Sequence, residues 1–223
     1  MLFRRSHSDV AFQSMVLYAH MADNEIVQKV RAGKKECFEV LMRRHTQALY
    51  RVGRMFDFEP RDIEDLIGDT HLDAYRNLAK YTPSTTFRTW LTRIMIDKCS
   101  RKVEQQTSGV GYSDSFEPYS NSPGTTNMPG GSTMIEAEGE VDADLETLPV
   151  PLRRLFVLRE VEGFSEKETA SLLNLSEDCV KKGTNHAKLS VKKSLRKNYF
   201  GDSVYPFGAT SCERVVSTVM SRI

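Results

Sequence analysis

The 223-residue chain has no apolar run approaching the roughly 20 residues that a membrane-spanning helix needs, so membrane insertion is not expected. Its four cysteines, Cys37, Cys99, Cys179 and Cys212, stand tens of residues apart without a Cys-x-x-Cys pair, and its five histidines are equally scattered. Such spacing supports neither a disulfide framework nor a zinc site, and the expected compartment is a reducing cytoplasm. No glycine-rich phosphate loop is present, and no spacing of Ser, His and Asp suggests an assembled nucleophile. The chain is therefore not expected to be an enzyme, and no cofactor or metal is expected.

What is present is a segregation of charge. The net charge of +1 comes from 31 Lys and Arg against 30 Asp and Glu. Residues 1–103 hold 18 basic and 13 acidic side chains, 104–148 hold none and 9, and 149–200 hold 11 and 6. Two basic blocks flank one acidic stretch, an asymmetry that concerns partners and linkers more than fold. At the start, Arg4 and Arg5 precede an apolar part broken by Gln13, Ser14 and His20, which reads as a disordered extension over 1–22 rather than a signal peptide.

From 23 to 103 the hydrophobic spacing is helical nearly throughout. Asp23 is placed as the cap of a first helix over 24–32, which Gly33 ends in the left-handed conformation. A second helix sets Phe38, Leu41, Met42, Leu49, Val52, Met55 and Phe56 on one stripe. Pro60 precedes a third, over about 61–80, that buries Ile63, Leu66, Ile67, Ala74 and Leu78. After the loop Tyr81 to Thr86, a fourth helix carries Phe87, Trp90, Leu91 and Ile94 and ends near Lys102. Four helices in this length predict a small all-helical domain.

Residues 104–141, rich in Gly, Pro, Ser and Thr and without Lys or Arg, cannot bury enough apolar surface to order themselves and read as a flexible acidic linker. Periodicity resumes over 142–200. A helix entered through Pro149 and Pro151 ends at Gly163; Ser165 and Glu168 form a capping box for the next, which stops near Asn174. Ser176 caps a longer helix whose inner face is Val180, Ala187, Val191 and Leu195. Two helices joined by a short turn, with small Ala170 at their approach, form a helix-turn-helix pattern. The fold class is all-α, two small helical domains joined by a linker. The tail 201–223 holds a short amphipathic stretch, Cys212 to Met220, with no assigned role.

Three constellations stand out. Asp62, Asp65, Asp69 and Asp73 recur at three and four residues, so they share one face of the third helix. Like charges at that spacing repel, and the stripe fits a solvated face, a docking face for a basic partner or, least well without a second ligating element, a cation site. Lys98, Arg101 and Lys102 fall together in the expected last turn of the fourth helix, where dipole complementarity competes with nucleic-acid binding as the explanation. Phe87 and Trp90 are assigned to the core, whereas Tyr81 and the hydroxyls around Pro83 are expected to be exposed enough to meet a base. The helix after Ser176 turns Asp178, Lys181, Lys182, Asn185, His186 and Lys188 outward, a set suited to base edges and phosphates or to a protein partner.

Ala32-Gly33-Lys34-Lys35-Glu36-Cys37-Phe38-Glu39-Val40-Leu41, then Asp62-Ile63-Glu64-Asp65-Leu66, Phe87-Arg88-Thr89-Trp90-Leu91, and Leu148-Pro149 through Leu158-Arg159-Glu160-Val161-Glu162-Gly163-Phe164-Ser165 together resemble an extracytoplasmic-function (group IV) sigma factor of bacterial RNA polymerase. The resemblance implies that the 23–103 domain docks on the clamp helices of the polymerase core through Asp62, Asp65 and Asp69. It further implies that the same domain melts the −10 promoter element with Tyr81, Thr82, Ser84, Thr85, Arg88, Asp97, Lys98 and Arg101. The 142–200 domain would read the −35 element with Arg159, Ser165, Lys181, Lys182, Asn185, His186 and Lys188, and an anti-sigma factor is implied as a further partner. Where the family usually shows Gln and Phe the chain has Gly68 and His71; Asp97 stands for Asn, and Gly183 and Thr184 for Arg and Leu. The runner-up reading is a helix-turn-helix regulator, or a diverged sigma-like protein, that does not programme the polymerase; a protein-binding adaptor is a third.

Overall fold

The computed structural model describes residues 18, 20–107, 142, 145–191 and 204–223. Nearly all of the expected N-terminal extension, the linker beyond Thr107, and Leu195 lie outside the described residues. Among the described residues the regular elements are all helices, and the fold is all-α. The chain divides into two compact units, one within 1–103 completed by 206–223, the other within 104–205.

In the first unit, α1 (Asp23–Arg31) starts after Ala22, whose backbone N–H donates to Glu25 Oε2 at 3.0 Å. Asp23 is therefore the first helical residue rather than the cap. Its carboxylate instead takes Arg44 and His45 of the next helix, α2 (Phe38–Arg54), each at 2.8 Å, which ties α1 to its neighbour. These partners hold the Asp23 carboxyl below the usual carboxylate range against the opposing effect of burial. Gly33 ends the turn at φ +91°, a value only glycine adopts without strain.

Helix α2 (Phe38–Arg54) and α3 (Pro60–Arg76) form the core with α4 (Phe87–Thr107), burying Phe38, Leu41, Met42 and Leu49 against Ile63, Ile67, Leu91 and Met95. Pro60 occupies the first turn of α3, where its missing N–H costs nothing. The crossing of α2 and α3 depends on Gly53: a Cβ there would stand 2.5 Å from Ile63 Cγ2. His71 sits in this core, only 1% exposed, so its place in a Phe position is a packing matter rather than a change to a binding surface. The Thr46 hydroxyl donates to the Met42 carbonyl at 2.7 Å, so its oxygen accepts from His71 Nε2 at 3.1 Å and the imidazole is the neutral Nε2–H form. Burial, with a smaller push from His45, lowers the His71 pKa to about 3.

The unit is completed by α8 (Ala209–Met220), which packs Val215, Val216 and Val219 against α2 and α3. The expected stretch, Cys212 to Met220, is thus a three-turn helix with a defined seat.

In the second unit, α5 (Val150–Phe156) continues into a π-helical turn over Val157–Val161, ended by Gly163 at φ +70°. Arg153, 3% exposed, braces the entry by donating to the carbonyls of Leu145, Glu146 and Leu148. Helix α6 (Glu166–Leu173) starts at the capping box: Ser165 Oγ accepts from Glu168 N, and Glu168 Oε2 accepts from Ser165 N at 2.9 Å. Asn174 takes the left-handed conformation, φ 56°, and Ser176 caps α7 (Glu177–Ser190). Leu155, Ala170 and Val180 form the small core where α5, α6 and α7 meet.

Candidate polymerase and nucleic-acid interfaces

The acidic stripe of α3 is not uniform. Its two end members are neutralised from α4: Lys102 Nζ lies 2.9 Å from Asp62 Oδ1, and Lys98 Nζ lies 2.6 Å from Asp73 Oδ2. Asp65 and Asp69 between them are exposed, with no ion-pair partner among the described residues. The two middle carboxylates are therefore the ones left to attract an external cation. Gly68 beside them has open space where a side chain would stand.

The same pairs alter the reading of α4. The helix runs to Thr107, so Lys98, Arg101 and Lys102 are not in its last turn, and the dipole does not account for them. Lys98 and Lys102 are held by α3 carboxylates, whereas Arg101 and Asp97 are exposed. Trp90, which the periodicity assigns to the core, is half-exposed and lines a recess of about 250 Å³ with Asp73, Asn77, Lys80, Ile94, Asp97, Lys98 and Arg101. Trp90 and Asn77 are candidates that spacing alone does not reveal, because their exposure depends on how α3 and α4 pack.

The loop 81–86 follows Lys80 of the recess and touches its Trp90 through Tyr81. The expected exposure of Tyr81 is corrected: it is 2% exposed. Its ring packs at 5.6 Å edge-on to Phe87 and 5.3 Å from Trp90, and its hydroxyl donates to Asn24 Oδ1 at 2.6 Å or to the Thr85 carbonyl at 3.0 Å. Burial pushes its phenol pKa up. Arg31 donates to the carbonyls of Leu78 and Tyr81, fixing the loop's first residue. Tyr81 is thus the anchor of the loop and not a surface for a base. The exposed groups are Thr82, Ser84 and Thr85, with Thr82 Oγ1 and Ser84 Oγ 2.9 Å apart; Arg88 is half-buried at the head of α4.

In the second unit α7 presents Lys181, Lys182, Asn185 and Lys188 to solvent, with His186 half-buried. Lys182 pairs with Asp178 at 2.6 Å and Lys188 with Glu160 at 2.8 Å, both near the surface and readily exchanged for phosphate. Gly183 and Thr184 are buried beside Val180 and Ala187, so these departures lie on the packing face of α7 rather than its outer face. Arg159, half-buried, donates to the Phe164 carbonyl and lies 3.7 Å from Glu166, which makes it a brace of the turn leading to exposed Ser165. Leu189, 74% exposed, is a large apolar neighbour of this face that the charge pattern did not single out. Among the described residues no group of three or more His, Cys, Asp or Glu could hold a metal ion, and no helix is long and apolar enough to cross a membrane.

A first unit of α1–α4 and α8 with an acidic face on α3, and a second unit built on a helix-turn-helix, have the architecture of a two-module DNA-binding protein. The Sigma-70 region 2 profile matches residues 41–108, and the Sigma-70 region 4 profile matches 139–189. The chain is 30% identical over 180 residues to the RNA polymerase sigma factor CnrH of Cupriavidus metallidurans, covering 76% of this chain and 93% of that protein. It is 24% identical to the ECF RNA polymerase sigma factor SigM of Mycobacterium tuberculosis, covering 78% of this chain and 85% of that one. Its fold is similar to CnrH solved in complex with the cytosolic domain of CnrY, at a TM-score of 0.53 and 22% identity over 79% of this chain and 98% of that one. A second similar structure is RpoE with the anti-sigma factor NepR from Bartonella quintana, TM-score 0.50 and 19% identity, covering 68% and 91% of the two chains. The chain belongs to the sigma-70 family, within its extracytoplasmic-function group IV, and is a sigma factor of transcription initiation.

Proposed function

We propose that this sigma factor binds the polymerase core through α3, opens the −10 element with the loop 81–86 and α4, and reads the −35 element with α7. The observation that carries the polymerase reading is the unpaired state of Asp65 and Asp69 among the described residues, while Asp62 and Asp73 of the same face are internally neutralised. A basic helix laid along α3 would meet two uncompensated carboxylates. The hydroxyl-bearing loop, held at its base by buried Tyr81, and the recess beside it with Trp90 and Arg101 support capture of an unstacked nucleotide. The outward face of α7, with exposed Asn185 suited to a base edge and Lys181, Lys182 and Lys188 suited to phosphates, supports major-groove readout.

In this reading the region 2-like and region 4-like domains span 23–103 and 142–200, the acidic segment 104–141 links them, and the protein works in the cytoplasm where polymerase and promoter are. The complex of the solved relative RpoE with the anti-sigma factor NepR supports an anti-sigma factor as a further partner. Transcription with purified core polymerase and genomic promoter fragments tests the proposal; specific initiation dependent on this chain is the expected result. Tight, steeply salt-dependent duplex binding by the chain alone, without comigration with core, would instead identify a stand-alone regulator.

A further inference from the structure

Helix α8 lies beyond the last residue that either family profile matches. It occupies the groove between α2 and α3, with Val215, Val216 and Val219 buried. Ser211 Oγ donates to Glu64 Oε1 at 2.7 Å, Arg214 lies 3.5 Å from Glu64 Oε2, and Glu213 pairs with Arg43 at 2.8 Å. Just upstream, Phe207 N donates to Gln47 Oε1 at 2.8 Å, and its ring packs 4.8 Å from that of Tyr50.

The seat borders the acidic face of α3. Glu64 and Asp65 are consecutive, so their side chains stand about 100° apart around the helix, and Asp69 is on Asp65's side. Helix α8 brings one cation, Arg214, to this border and leaves Asp65 and Asp69 without an ion-pair partner among the described residues. It is a weakly held occupant for three reasons. Arg214 and Glu213 are 62% and 63% exposed, and ion pairs so exposed contribute little. A 12-residue helix is marginal without packing. Its fully buried side chains are three valines, and attachment to the same chain lets so small an apolar face keep its seat.

We propose that the α2–α3 groove is a helix-binding surface, that α8 is its resident occupant in the free chain, and that a basic amphipathic helix of the polymerase core displaces it. A helix with an apolar triplet for the groove and cations for Glu64, Asp65 and Asp69 together would satisfy charges that α8 leaves unmet. The inference rests on the polymerase reading above. Its consequence is that free chain binds core more weakly than its α3 surface alone permits, because the groove must first be vacated.

Hydrogen exchange of the full chain, alone and bound to core polymerase, tests the displacement. The α8 amides are expected to be protected in the free chain and to lose that protection in the complex. In parallel, the full chain carrying Val216→Asp and Val219→Asp is expected to bind core about tenfold more tightly, whereas Thr218→Asp on the exposed side of α8 leaves affinity unchanged. Should circular dichroism show the double variant unfolded, Val219→Ala is expected to tighten binding about threefold in its place. A complex in which α8 stays protected, or a folded variant with unchanged or weaker affinity, overturns the proposal while leaving the polymerase reading standing. No complex with any of these chains overturns both.

Discussion

Lys102 Nζ of α4 sits 2.9 Å from Asp62 Oδ1 of α3, so the first carboxylate of the acidic stripe is committed inside the protein. Asp65, one turn along, is exposed and has no ion-pair partner among the described residues. Charge reversal should separate the two. Asp65→Lys with Asp69→Lys is expected to leave the melting temperature nearly unchanged, since both are surface sites, and to weaken core binding at least tenfold, about 1.4 kcal/mol. Asp62→Lys is expected to cost roughly 0.5–1 kcal/mol of stability by opposing Lys102. Fluorescence anisotropy with core and thermal melts read both effects, and equal affinities for the two variants would contradict the division.

Tyr81 connects loop and helix through a hydroxyl within reach of Asn24 and the Thr85 carbonyl. Tyr81→Phe keeps the ring packing but leaves the Thr85 side of the loop untied, at a cost of about 1 kcal/mol. Permanganate footprinting of promoter DNA should show slower strand opening with this variant. Thr82→Ala and Ser84→Ala should leave stability intact and alter opening only.

His71 is buried neutral, with a pKa of about 3 against an unfolded value near 6.5. Between those values the unfolded chain holds a proton that the folded chain does not, so stability falls as the solution is acidified below about pH 6.5. The slope attributable to this group approaches about 1.4 kcal/mol per pH unit. Asp23, with a lowered pKa, adds its own loss only as pH falls through and below the ordinary carboxylate range. In urea titrations between pH 4.5 and pH 7, His71→Phe should flatten the curve; a slope that survives the substitution would assign it to another group.

Gly53 lets α2 and α3 approach, with the Ile63 side chain filling the space of a Cβ. Gly53→Ala should destabilise the first unit by about 1–3 kcal/mol although alanine is the better helix former. The double variant Gly53→Ala/Ile63→Ala, which vacates the clash, should recover the overpacking part in chemical denaturation.

On α7, Asn185→Ala is expected to cost about 1–3 kcal/mol of discrimination at one base pair of the −35 element. Lys181→Ala should weaken binding across sequences and lower the salt slope by about one phosphate contact. Binding of the assembled holoenzyme to mutated promoters at several salt concentrations distinguishes these outcomes.

Much of the local structure was legible residue by residue. Gly33, Gly163 and Asn174 sit at the left-handed stops their chemistry suits, and Ser165, Glu168 and Ser176 cap the helices that their spacing marks. Asp23 misled because a carboxylate at a helix start has a second use, and here Arg44 and His45 outcompete the backbone amides for it. Tyr81 misled because an aromatic in a polar loop gives no sign of which way it turns; Asn24, 57 residues away, decides that. The tail gave only an amphipathic stretch, and periodicity cannot say where an apolar face will find its complement.

By itself the chain's order of residues determined the stops at Gly33, Gly163 and Asn174, the caps at Ser165 and Ser176, the helix-turn-helix, and the acidic face of α3, because capping and periodicity act within a few residues. Only the tertiary structure decided which of those aspartates remain available, that Tyr81 is an anchor and Trp90 half-open, and that α8 lies against α2 and α3. Charge neutralisation and burial depend on groups brought together from distant parts of the chain, and a helix's own repeat carries no information about what its neighbour presents.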